Sequence, residues 1–70
     1  MAHLRLGEKE PIERYTWVEL RDGQRFLVMA EHQRRDRWDF WERPEAGGDW
    51  YPIPSSPELI AKGREFKKHR

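Results

Sequence analysis

The side chains in this sequence that could do chemistry are few and scattered. Three histidines, His3, His32 and His69, share no helical or hairpin spacing that would bring two of them onto one metal, and no cysteine exists to supply a thiolate. His32 has Asp36 four residues on, but both fall in a polar connector too short to wall a pocket. Ser55 and Ser56 precede Pro57 and Glu58, the arrangement of a helix start, so their hydroxyls read as caps and not as nucleophiles. Gly47-Gly48 leads into a strand, not a helix, and so lacks the helix N-terminus that holds a phosphate. Asp39 and Glu42 flank aromatics and read as solvated strand positions or as partners for Arg37 and Arg43. The expectation is a protein that is not an enzyme and that uses neither metal nor cofactor.

Binding chemistry is better represented. Four tryptophans stand among 70 residues, and three large aromatics crowd the stretch Arg37-Trp38-Asp39-Phe40-Trp41-Glu42-Arg43-Pro44. Trp, Tyr and Arg dominate binding hot spots, so Trp17, Trp41, Trp50, Tyr15 and Arg43 form the candidate site if they share an open face. A secondary basic patch is Arg34, Arg35, Lys67 and Lys68.

Charged residues are 39% of the chain, yet the formal net charge is only +1, which argues against blanket neutralisation of phosphates. From Ile60 onward Lys62, Arg64, Lys67, Lys68 and Arg70 face a single acid, Glu65, a bias that complements a helix C-terminus. No apolar run is long enough to cross a bilayer, nothing at the N-terminus resembles a signal peptide, and the lack of cysteine fits a reducing compartment. The expected location is cytoplasmic.

The elements that must position these residues follow from pattern. Residues 1–13 read as a flexible polar tail, and residues 14–70 as a single small domain. Strands are expected at about 15–20, 25–31, 37–43 and 49–53, with a helix over about 57–68. Asp22-Gly23 is a tight-hairpin signal, and Pro52 limits the fourth strand to an edge or bulge. The fold class is therefore α+β: an antiparallel meander of three to four strands with one C-terminal helix packed on one face. A small SH3-like barrel is the alternative. Within the helix, Leu59, Gly63 and Phe66 share a face, and Gly63 either ends the helix or lets it lie close on the sheet.

Register assigns the faces. A two-residue loop at Asp22-Gly23 puts Tyr15, Trp17, Phe26 and Val28 on one side, and Thr16, Val18, Leu20, Leu27 and Met29 on the other. An even-length second connector places Trp41 with Trp17, and Trp38 and Phe40 with the aliphatic set, and a similar even-length turn at Glu45 to Gly48 places Trp50 with Trp41 and Ile53 with Phe40; an odd loop or a bulge at either place would reverse this. On the even reading the helix covers the aliphatic face, leaving the aromatic one to be filled from within, to pair with a second copy, or to bind a partner.

The spacing of Trp17, of Gly23-Gln24-Arg25-Phe26, and of Trp41-Glu42-Arg43-Pro44 resembles the paired tryptophans and closing proline of WW domains. It covers less than half the chain. The second-strand aromatics and Asn-His of that family are replaced by FLVMAEH, and a further strand and helix follow, so the resemblance implies nothing about proline-rich ligands. The expected function is a non-catalytic protein-interaction module or accessory subunit, with a protein partner or a homodimer as the occupant. Single-stranded nucleic-acid binding by base stacking is the alternative, opposed by Asp36, Asp39, Glu42, Glu45 and Asp49, which interrupt any positive stripe.

Overall fold

The computed structural model describes residues 12–33 and 36–69. Four strands, β1 (Glu13–Arg21), β2 (Gln24–Gln33), β3 (Arg37–Pro44) and β4 (Tyr51–Ile53), precede one helix, α1 (Pro57–Lys68). The strands pair antiparallel in sequence order, and the sheet is open, with β1 and β4 at its edges. It is a two-layer α+β meander, not a closed barrel. Of the residues expected to form a tail, Glu13 opens β1; residues 1–11 and the basic pair Arg34 and Arg35 lie outside the described residues.

The first hairpin turns on Asp22 and Gly23, both at positive φ, 51° and 76°. That is the primed turn whose twist matches the flanking strands, and it pairs Arg21 with Gln24 and Leu20 with Arg25. The second connector differs from the even-length expectation. Gln33 pairs with Arg37, so three residues intervene, and the last of them, Asp36, sits at φ 61°. A three-residue hairpin loop needs a left-handed position, which Asp tolerates better than most residues. The odd count moves every β3 side chain to the face opposite the one expected. Ala30 pairs with Phe40, Met29 with Trp41, and His32 with Trp38.

The helix therefore covers the face that carries Trp17. Trp17, Val28, Ala30, Trp38 and Phe40 form the buried core, with Tyr15, Ile53, Leu59 and Ile60 packed at its margin. Trp17 and Trp38 are each 6% exposed. Phe66 stacks on Trp17 with ring centroids 5.1 Å apart, and Trp38 stacks between Phe40 and the imidazole of His32. The expectation that α1 packs on Val18, Leu20, Leu27 and Met29 is corrected: those side chains occupy the opposite face, which none of the described elements covers.

Helix α1 starts from a capped N-terminus. Ser56 is the N-cap; its Oγ accepts from the backbone N–H of Leu59 at 3.1 Å, and Pro57 follows at the first helical position. The helix runs on through Gly63, which is buried. Glu58 in the first turn and Lys67 and Lys68 in the last complement the macrodipole. At the far end of the helix, ionic ties join it to the sheet. Lys67 Nζ lies 2.6 Å from Glu13 Oε1, and Arg64 binds Asp36 in the second connector. His32 sits between these ties, its Nδ1 3.5 Å from Glu13 and its Nε2 3.4 Å from Asp36 without the alignment of a hydrogen bond.

Candidate functional site

The five expected site residues divide between the two faces. Trp17 and Tyr15 point to the helix side. Trp17 is core, its indole N–H donating to Glu19 Oε2 at 2.8 Å, and Tyr15 packs against the core with its ring 6.2 Å from that of Trp38. Neither belongs to an open aromatic surface, and the three-residue connector is the reason: it leaves Trp17 on the covered face and turns Trp41 away from it. Trp41, Arg43 and Trp50 do come together on the uncovered face. Trp41 pairs with Pro52 across β3 and β4, and the Arg43 guanidinium stands 5.2 Å over the ring of Trp50. That cation–π contact holds the Trp50 ring, 36% exposed, against the β3 edge of the connector.

The register arranges the uncovered face in rows across the strands. One row is Val18, Leu27 and Arg43; the next is Thr16, Met29, Trp41 and Pro52. Leu27, Met29 and Trp41 are half-buried, while Val18 is exposed and Leu20, one row out, is 69% exposed. Beyond these apolar rows lie charges that are already paired in the plane of the sheet. At one end Arg25 binds Glu45 through Nε and Nη2. At the other, Arg14 Nε meets Glu31 Oε2 at 2.6 Å, and Asp39 accepts from Gln33 Nε2 at 2.6 Å with Arg37 at 3.6 Å. The Arg25 guanidinium, chiefly by hydrogen bonding, holds the Glu45 carboxyl below its ordinary range. The face thus has an apolar centre bordered by paired polar groups.

The helix side offers a different surface. Arg21, bonded to Glu42 and near Glu19, lies over the Phe26 ring, and Lys62 lies over Trp17. Of the secondary basic patch, Lys67 is engaged by Glu13, and Lys68 is exposed in the last helical turn. Acids at Glu58 and Glu65 interleave the lysines along the outer side of α1, so no continuous positive stripe forms among the described residues.

Ser56 Oγ is occupied as a cap, His32 is stacked on Trp38 and bracketed by Glu13, Asp36 and Lys67, and among the described residues no three metal-ligating side chains converge. No helix of the described residues is long and apolar enough to cross a membrane. Sequence reasoning missed Leu27, Met29 and Val18 as members of the open face because they read as core; the signal for them was Asp36, a residue suited to a left-handed loop position immediately before β3. Comparison with protein-family models, with curated proteins and with solved structures finds no match. What defines the chain is therefore its own geometry: a small α+β domain with one sheet face covered by a helix and the other covered by none of the described elements.

Proposed function

We propose that the protein is a non-catalytic interaction module that binds a protein through its uncovered sheet face, with Trp41, Met29 and Leu27 at the centre and Arg43 and Trp50 beside them. The observation that carries this reading is the row pattern: contiguous apolar side chains across the strands, bordered at both ends by charges already neutralised by neighbours in the sheet. Burying such a face removes apolar area from water while the flanking ions stay paired, and the Arg43 guanidinium keeps the Trp50 ring and the Pro44 carbonyl as its contacts. Single-stranded nucleic acid is a poorer fit. Stacking platforms need exposed rings beside free cations, and here Arg43 is engaged by Trp50, Arg14 by Glu31 and Arg25 by Glu45.

The test is a photo-crosslinking amino acid placed at Val18 or Leu20 on the open face, and at Glu65 on the helix as control, in cells that produce the protein. Protein adducts are expected from the face positions and not from Glu65, and Trp41→Glu should abolish them. Nuclease-sensitive adducts would favour the nucleic-acid reading. Equal yields from both faces, or none from either, would sink the proposal.

A further inference from the structure

We infer that the occupant of the open face is a second copy of this chain, the two sheets packing face to face about a two-fold axis that lies between them along the Trp17–Val28–Glu42 row. This rests on the reading of that face as an interface and adds the identity of what covers it. The axis is singled out by self-complementarity. It reverses strand direction and lays β2 over β2, so residues equidistant from Val28 exchange places: Leu27 meets the partner's Met29, and Arg25 meets the partner's Glu31. On β3 the same axis passes Glu42, the residue paired with Val28, and brings Trp41 over the partner's Arg43. It also brings Asp39 toward the partner's Glu45 and Arg14 toward the partner's Leu20, contacts that oppose association; Asp39 keeps Arg37, and Arg25 is then shared between its own Glu45 and the partner's Glu31.

Twist does not destroy this match. Aligned sheets cross at roughly 30°, and Arg25 and Glu31 stand about 10 Å from the axis along β2, so they are displaced by roughly 5 Å, within reach of an arginine side chain. Four strands about 4.8 Å apart, with the apolar and flanking rows spanning about 23 Å, give a flat footprint on the order of 450 Å² per partner, below the ~800 Å² of a standard interface and of the size of a weak, concentration-dependent association. A shared core would add to a buried set that, among the described residues, is only five side chains, with no cysteine in the sequence to cross-link it. In the dimer the helices lie outside and the open faces become one shared core.

The experiment is sedimentation and native mass spectrometry of the full chain from low micromolar to near-millimolar concentration. It uses wild type, Met29→Glu, and the charge reversals Arg25→Glu and Glu31→Arg, with circular dichroism to follow folding. Wild type is expected to dimerise reversibly, Met29→Glu to stay monomeric, and each reversal to weaken association at least about tenfold by opposing like charges. An equimolar mixture of Arg25→Glu and Glu31→Arg should form the heterodimer, in which both cross-axis pairs are restored. A wild-type monomer throughout the range, a dimer indifferent to a folded Met29→Glu, or a mixture with no preference for the heterodimer would each overturn the inference. A Thr16→Cys thiol separates this from failure of the face reading. If a monomeric chain labels there at the rate of a free peptide, the face is open and only the second copy is wrong; if the thiol stays blocked, the face is filled from within the chain and both readings fall.

Discussion

Gly63 of the helix rests directly on the indole of Trp38, so that a β-carbon built on it would stand 2.6 Å from the ring. Trp38 is itself clamped between Phe40 and His32, so it has no room to retreat. The helix can approach the sheet this closely because residue 63 has no side chain. Two opposing effects then decide what Gly63→Ala does. Alanine favours a helix interior by roughly 1 kcal/mol over glycine, while forcing a methyl into a packed contact costs about 1–3 kcal/mol. The clash is with a held ring and not a flexible tip, so the expected result is a net loss of stability in urea denaturation. A stabilised variant would mean that the helix is not seated on Trp38.

The two tryptophans of β3 should respond in opposite ways. Trp38→Ala empties the centre of the core and is expected to cost about 3–5 kcal/mol, enough to unfold much of a domain whose total stability is of that order. Trp41→Ala removes a half-buried ring from the uncovered face, and in dilute solution its cost is on the order of 1 kcal/mol. Denaturation curves of the two variants, recorded below the concentration at which any self-association occurs, give the comparison. Equal losses would place Trp41 in an intrachain core.

Acid should loosen the end of the helix that reaches the second connector. Asp36 is held below the ordinary aspartate range, first by its hydrogen bond from Arg64, and Glu45 is held low in the same way by Arg25. A carboxyl depressed in the folded state stabilises it above the unfolded value, and that contribution is lost as pH falls through the folded one. Stability is therefore expected to be flat with respect to these two groups near neutrality and to decline below the ordinary carboxylate range of about 4. Both groups are exposed, so the effect is modest and screened by salt. Thermal melts from pH 6 to pH 2, with Asp36→Asn for comparison, test this: the variant should show a shallower acid decline and already be weakened at pH 6.

Much of this fold is legible in the residues themselves. The strands, the first hairpin and the helix range follow from the alternation of apolar side chains, the Asp22-Gly23 turn and the cap ahead of Pro57, because each depends on neighbours in sequence. The site is legible only in part. Trp41, Trp50 and Arg43 share a face because the β3–β4 register is the even one expected. Trp17 does not share it, because face assignment beyond the first hairpin rests on one parity, the count of residues between Gln33 and Arg37. Composition is silent on that count. The preference of Asp36 for a left-handed backbone is a single-residue signal, outweighed in pattern reading by the pair of arginines before it. Which face the helix chooses is likewise decided by Gly63 and Trp38 together, residues far apart in sequence.

That parity can be tested by changing it. Replacing the three residues between Gln33 and Arg37 with Asn-Gly installs a turn that is intrinsically good for a two-residue hairpin. It also forces β3 to slip by one residue, turning Trp38 and Phe40 toward the uncovered face and Trp41 toward the helix. Gly63 would then face a gap where Trp38 had been, and the core would lose two of its five buried side chains. The variant is expected to lose cooperative unfolding and the near-ultraviolet dichroism of its packed indoles, despite the better local turn. Asp22→Asn in the first hairpin is the control: it keeps a residue suited to positive φ and leaves the register unchanged, so stability should move by no more than about 0.5 kcal/mol. If the Asn-Gly variant folds as cooperatively as the parent, side-chain parity is not what specifies this sheet, and the division of its faces into core and contact surface would have to be redrawn.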